Sequence, residues 1–216
     1  VSHDLRTPLT SIRGYAEAIG DGTATDAKRA AEVISGEARR LERLVGDLLD
    51  LAKLDARRFS LDLQPVDAAE VAAGIADSFA PAASEAGLAL QVDTAGAGLV
   101  VRADPDRLAQ VVANLVENAF KFAGSSIRVA AARQGSEVVL TVEDDGPGIP
   151  APDVPRVFER LYQSPRTPAR QAGSGLGLAI VAELVGAMGG RVQAVSPVLD
   201  STGTRLEVRL PASASS

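Results

Sequence analysis

Two apolar stripes at alternating four and three residue steps constrain the first quarter of this chain most strongly. The first runs through Leu5, Leu9, Ile12, Ala16 and Ile19, the second through Ile34, Ala38, Leu41, Val45, Leu48 and Ala52. Such spacing places apolar side chains on one side of an α-helix. Gly20-Asp21-Gly22-Thr23 interrupts the pattern, and Thr25 or Asp26 can cap the second helix. Residues 1–55 therefore read as a helical hairpin. One hairpin cannot cover its own seam. Two can, as a four-helix bundle, so a homodimer is expected. The competing reading docks the hairpin onto the rest of its own chain.

After Asp55 the pattern changes. Phe59–Gln64 alternates like a strand, and Asp67 can cap a helix carrying Val71, Ile75 and Phe79. Strands are expected at 88–92, 99–103, 127–133, 138–142, 191–195 and 204–210. Asp104-Pro105 opens a helix to about Phe122, with proline where its missing N–H costs least. Residues 146–173 are rich in Gly, Pro and Arg and read as a long loop, a form usually functional or disordered. A helix from Leu176 to Met188 closes on Gly189-Gly190. The fold class is α+β: a hairpin forming a dimeric bundle, then a mixed sheet backed by helices on one face. Aromatics are only 3% of the chain, so the core must be Ala, Val and Leu.

Net charge is −6, which removes any electrostatic case for nucleic-acid binding. There is no cysteine, which excludes disulfides and thiolate metal sites. No apolar run approaches the ~20 residues of a membrane helix, and no signal peptide is visible. The start at Val1-Ser2-His3, without Met, is read as a piece of a longer protein. Any membrane attachment is expected only through a preceding region.

Four groups of residues could carry chemistry. His3, the chain's one histidine, lies about 160° around the first helix from Leu5, on the outer side. Thr7 shares that side one turn on. Asp4 can orient or deprotonate an imidazole, and Pro8 removes the hydrogen bond to the Asp4 carbonyl. Taken alone, a solvated surface histidine is the simpler reading. On the helix 105–122, Asn114, Asn118 and Lys121 form a polar stripe beside the apolar face. An amide oxygen can ligate a hard cation and a lysine can meet phosphate; a solvated flank would look the same. Asp144-Asp145-Gly146-Pro147-Gly148 follows a strand, where a carboxylate can accept from an amino group and glycines admit a flat ligand. Gly173-Ser174-Gly175-Leu176-Gly177-Leu178 opens a helix, whose N-terminal N–H groups suit phosphate. It is neither a dinucleotide fingerprint nor a Walker A loop.

In this order these groups resemble the sensor histidine kinases of two-component systems. Ser2–Leu9 is similar to the H box, Asn114–Phe122 to the N box and Asp144–Gly148 to the DxGxG box. Val157–Tyr162 resembles the F box, and Gly173–Leu178 and Gly203-Thr204 the later glycine boxes. The resemblance spans nearly the whole chain. It implies a HisKA-type dimerisation and phosphotransfer domain over residues 1–57. Over 58–212 it implies a catalytic domain of the ATP-binding type shared with gyrase, Hsp90 and MutL, a Bergerat-type α/β sandwich. His3 would attack the ATP γ-phosphate with Asp4 as polariser or base. Asn118, with Asn114, would hold Mg²⁺, and Lys121 would serve the phosphates. Asp144 would accept from the adenine amino group, with Gly146 and Gly148 shaping that pocket, and Phe122 and Thr204 would also bind the nucleotide. Residues 150–173 would be a mobile ATP lid, and Gly173, Ser174, Gly175, Leu176, Gly177 and Leu178 would line the phosphates.

The resemblance further implies a response regulator whose receiver aspartate takes the phosphoryl group, and Thr7 as the residue that orients water when such kinases also act as phosphatases of that partner. The chain would be the cytoplasmic portion of a membrane-anchored bacterial sensor. The linker around Ala56–Ser60 would act as a hinge. One position departs: where the family often places a basic residue reaching the γ-phosphate, this chain has Gln163, and Arg166 or Arg170 would substitute. The alternative is an ATPase or ATP-binding module of the same pocket type without histidine phosphotransfer. That reading leaves the His-Asp-x-x-Thr-Pro sequence without a role.

Overall fold

A computed structural model describes residues 2–55, 60–94, 98–164, 174–198 and 202–213; the side chains of 2–6, 40, 43–44 and 47–55 lie outside that description. The chain divides into two compact units, Val1–Arg58 and Phe59–Ser216.

The first unit is the helical hairpin. Helix α1 spans Ser2–Gly20 and α2 spans Ala27–Asp55. The turn between them is built by two aspartates. Asp21 Oδ1 accepts from the Thr23 amide at 3.0 Å and the Thr23 hydroxyl at 2.6 Å. Of the two capping candidates, Asp26 takes the role, accepting from the Arg29 amide at 2.9 Å. Stripe residues stay open to solvent in the single chain: Leu9 is 61% exposed and Val45 47%.

The second unit is a mixed sheet under three helices. Its elements are β1 Gln64–Asp67, α3 Ala68–Ala86, β2 Ala89–Asp93, β3 Val100–Ala103, α4 Pro105–Phe122, β4 Ser126–Gln134 and β5 Glu137–Asp144. A 3₁₀ turn at Val154–Arg156 follows, then α5 Gly177–Ala187, β6 Arg191–Val195 and β7 Thr204–Pro211. The main sheet has the order β2-β4-β5-β7-β6. Strand β2 runs parallel to β4 and the remaining pairs are antiparallel. Strands β1 and β3 form a separate antiparallel pair.

Period-two alternation sorts the sheet into two faces. Ile127, Val129 and Ala131 on β4, Val138, Leu140 and Val142 on β5, and Leu206, Val208 and Leu210 on β7 are buried. Helices α4 and α5 contribute Leu108, Val112 and Leu115, and Ile180 and Leu184, to the same core. Phe79 of α3 meets Phe120 of α4 with ring centroids 5.5 Å apart. The opposite face carries cross-strand ion pairs, Arg128–Asp93 at 2.6 Å and Arg205–Glu143 at 2.9 Å among them. Being still partly solvated, they add modest stability and keep that face polar.

One expected element differs. Phe59–Gln64 was expected as a strand, but β1 begins only at Gln64; Phe59 lies outside the described residues. Side chains take the backbone groups a ladder would need. The Asp62 amide donates to Asp104 Oδ2 at 3.1 Å, and the Leu63 carbonyl accepts from Arg102 at 3.2 Å. The caps behave as expected. Asp67 accepts from the Ala69 and Glu70 amides, and Asp104 from the Arg107 amide. No helix among the described residues is long and apolar enough to cross a membrane.

Candidate nucleotide site

The site is assembled where the C-terminal ends of α4 and β5 meet. The register places Asp144 opposite Ile127 on β4 and Thr204 on β7, on the helix-facing side of the sheet. Apolar residues fill that side further along, so Asp144 and Thr204 are buried polar groups at the rim of the core. Asp144 Oδ1 accepts from the Gly146 amide at 2.9 Å. Burial is the main influence on this carboxyl and pushes its pKa up to about 6. The Gly146 N–H opposes the shift and the neighbouring Asp145 charge adds to it.

The glycines are where backbones come closest. A Cβ on Gly146 would collide with the Phe122 carbonyl oxygen and lie 2.7 Å from Asp144 Oδ1. Gly148 has φ +81°, and a Cβ there would lie 2.9 Å from Ser196 Oγ. The loop 145–149 is bolted to the β6–β7 connection. The Gly203 amide donates to the Gly146 carbonyl at 2.8 Å. The Ile149 amide donates to Ser196 Oγ at 2.7 Å, and that hydroxyl donates to the Gly203 carbonyl at 2.9 Å. Sequence reasoning missed Ser196, since nothing local links a serine to a glycine loop nearly fifty residues earlier.

Helix α4 presents the polar stripe. Asn114, Asn118, Lys121 and Phe122 are half-buried. Asn114 donates from its amide nitrogen to the Gly177 carbonyl at 3.4 Å, which joins the stripe to the start of α5. Asn118 makes no side-chain hydrogen bond among the described residues, although it is half-buried. The Lys121 ammonium lies 5.1 Å from the centre of the Phe122 ring. At the start of α5, Ser174 Oγ accepts from the Leu176 amide at 3.1 Å, Leu176 is buried and Leu178 is half-buried. Gly175, at φ +69°, is held against the F-box segment. The Leu161 amide donates to its carbonyl at 2.9 Å, and a Cβ on it would lie 2.7 Å from the Leu161 carbonyl carbon. The F-box segment is thereby tied to the start of α5.

The donor set bears on a cation. Among the described residues no group of three or more His, Cys, Asp or Glu could hold a metal. Neutral amide oxygens alone make no resident Mg²⁺ cage. They fit a hard ion that arrives with phosphate oxygens and retains water.

The remaining expected site residues lie in the other unit, outside the described residues, or on the exposed surface. His3, Asp4 and Thr7 lie on α1 in the other unit; Thr7 is exposed, and the His3 and Asp4 side chains lie outside the description. Gly173, Arg166 and Arg170 lie outside the described residues, and Gln163 is exposed.

Residues 103–214 match the family model described as histidine kinase-, DNA gyrase B-, and HSP90-like ATPase. Residues 1–57 match the His Kinase A (phospho-acceptor) domain. The chain belongs to the sensor histidine kinases. It is similar to the signal transduction histidine-protein kinase AfsQ2 of Streptomyces coelicolor, at 36% identity over 98% of this chain and 40% of that protein. ShkA, solved full-length in complex with AMPPNP, aligns at TM-score 0.75 and 30% identity, over 100% of this chain and 45% of that one. Histidine kinase ThkA, solved in complex with the response regulator protein TrrA, shares the fold at TM-score 0.79 and 21% identity, over 99% of this chain and 60% of that one. The chain thus spans less than half the length of AfsQ2 and of ShkA.

Within this kinase fold Asp144 has a measurable consequence. Its folded pKa lies above the unfolded value, so the native state binds the extra proton between about pH 4 and pH 6. Stability is fully present below the unfolded pKa and is lost as pH rises through the folded one. Raising this carboxyl from the usual aspartate range to about 6 corresponds to about 3 kcal/mol. Denaturant unfolding of Asp144→Asn and the parent at a series of pH values is expected to show their difference growing by about that amount between pH 4 and pH 7. A difference that stays constant with pH would contradict the buried-carboxylate account.

Proposed function

We propose that the chain is the catalytic core of a protein-histidine kinase. It binds ATP with Mg²⁺ at the α4–β5 site and transfers the γ-phosphoryl group to His3. The observation that carries this reading is the rim of the core: a buried carboxylate, Asp144, accepts from the Gly146 amide at a point where only glycine fits against the Phe122 carbonyl. On the adjoining helix one neutral amide, Asn118, makes no side-chain hydrogen bond among the described residues. An adenine amino group would donate to Asp144, with Thr204, Phe122 and Gly148 around it. The phosphates would extend toward Asn114, Lys121 and residues 173–178. Mg²⁺, held through Asn118 and Asn114, supplies charge neutralisation when bound.

Phosphoryl transfer needs mainly positioning and electrostatic stabilisation, which the lysine and the amides at the start of α5 provide. A neutral His3 nitrogen attacks phosphorus, the bond to the departing ADP oxygen breaks, and Asp4 orients the imidazole or takes its proton. Arg166 or Arg170 takes the place of the basic residue that Gln163 lacks, so replacing both with alanine slows labelling.

Residues 1–57 serve as the dimerisation and phosphotransfer domain and 58–212 as the ATP-binding domain. The exposure of Leu9 and Val45 supports pairing with a second copy. The phosphoryl group passes on to an aspartate of a response regulator, consistent with the ThkA complex, and the chain is the cytoplasmic portion of a membrane-anchored sensor.

Incubation with γ-³²P-ATP tests the reading. The expected product is labelled protein whose phosphate is lost in acid and kept in base. Base-labile, acid-stable label, or ATP hydrolysis with no phosphoprotein, would overturn it in favour of a serine kinase or an ATPase. Thr7 is assigned to orienting the water that hydrolyses the regulator's phosphoaspartate. Thr7→Ala is expected to slow dephosphorylation of the regulator by about tenfold or more while leaving self-labelling in place. Equal dephosphorylation rates would remove Thr7 from that role.

A further inference from the structure

We propose that Asp145 is a positioning residue for nucleotide binding, setting the end of helix α4 against the Asp144–Gly146 strand end. The proposal rests on the nucleotide reading of the site. It begins with how α4 ends. The helix stops at Phe122 with Ala123 at φ −53°, ψ 140°, and its closing bond runs from the Ala123 amide to the Ala119 carbonyl. No left-handed glycine directs the chain away from it, so the helix's own sequence leaves the exit open.

Asp145 sets that exit. Its Oδ1 accepts from the amides of Gly124 at 2.9 Å, Ser125 at 2.9 Å and Ser126 at 3.0 Å. Its Oδ2 accepts from the Ser125 amide at 3.1 Å and from the Ser125 hydroxyl at 2.5 Å. The Asp145 amide donates to the Ser126 carbonyl at 3.3 Å. One carboxylate thus gathers three consecutive amides and a hydroxyl. Desolvation, the largest single influence on its pKa, opposes ionisation. The donors at Ser125, Ser126 and Gly124 together outweigh it and hold the carboxyl well below the usual range.

The clamp matters because of what flanks it. Immediately before the clamped turn lie Lys121 and Phe122; immediately after Asp145 lies Gly146, where an added Cβ would collide with the Phe122 carbonyl. The residues assigned to phosphate and metal are therefore tied to the residue assigned to adenine through one side chain. Asp145 touches none of the reacting groups in this reading. Without the clamp the turn 124–126 loses its shared acceptor, and the spacing between Asp144 and Asn118 with Lys121 is free to drift. A misplacement of that kind weakens a ligand that must span both ends.

Calorimetric titration of the full chain with ADP and Mg²⁺ tests this. Asp145→Ala is expected to weaken ADP binding by about tenfold or more, at unchanged stoichiometry. Asp145→Asn retains an oxygen for the three amides and is expected to bind within about threefold of the parent. A purely structural carboxylate would act differently. Its loss would lower the fraction of binding-competent protein, and so the stoichiometry, at unchanged affinity. That result overturns the proposal.

If Asp145→Ala does not fold, Ser125→Ala removes only the hydroxyl bond. It is expected to weaken ADP by about threefold, and unaltered affinity there overturns the proposal equally. A folded parent that binds no ADP would instead overturn the nucleotide reading itself.

Discussion

His3→Gln is expected to abolish phosphorylation while leaving nucleotide binding untouched. Glutamine is close to histidine in size and polarity, but its amide is not nucleophilic at phosphorus. Helix α1 continues through this position, so the backbone has no reason to change. The site around Asp144 belongs to the other compact unit, and its hydrogen bonds lie within residues 59–216. Label from γ-³²P-ATP is expected to fall by more than about 1000-fold, the scale seen when a nucleophile is removed. ADP affinity by calorimetry is expected to stay within about twofold. Retained label on His3→Gln would mean a different acceptor. Lost ADP binding would mean that the two units depend on each other in a way their separate cores do not require.

Gly146→Ala is expected to have the largest effect on the nucleotide site itself. The added carbon would overlap the Phe122 carbonyl oxygen and press on Phe122 C at 2.9 Å and Asp144 Oδ1 at 2.7 Å. Two of these three neighbours are backbone atoms at the end of α4, which cannot rotate away. The third is the carboxyl that Gly146 itself orients. Relief requires α4 and β5 to separate, costing about 2–3 kcal/mol in stability by analogy with overpacked cores. The same movement breaks the spacing between Asp144 and the α4 stripe, and ADP affinity is expected to fall by about 100-fold or more. Denaturant unfolding and calorimetry read the two effects separately. A protein with parental affinity would show that the close approach of Phe122 to Gly146 is dispensable.

The elements that could be read along the chain were those with strong local signals. Helix α4 runs from Pro105 to Phe122 as its capping aspartate, early proline and apolar period require. Strand β6 and the turn at Gly135 likewise follow from local pattern. Phe59–Gln64 misled because alternation states only that one face can be apolar. Whether a strand forms depends on a partner edge, and here Asp104 and Arg102 occupy the backbone groups. The candidate site was legible where residues cluster in short boxes, as in 114–122 and 144–148. Ser196 and Ser125 fell outside that view because each acts on a segment some twenty to fifty residues away.

The sequence by itself determined a helical hairpin, a following α+β unit, and the presence of residues suited to a phosphoacceptor and an ATP site. Local periodicity, capping and short motifs are properties of neighbouring residues, so they survive without coordinates. Only the tertiary structure decided that Asp144 is buried and its proton held up to about pH 6, that Gly146 is walled by Phe122, and that Asp145 gathers the turn after α4. Those facts depend on which strand end meets which helix end. Desolvation, steric contact and long-range hydrogen bonds arise from that meeting and have no local signature.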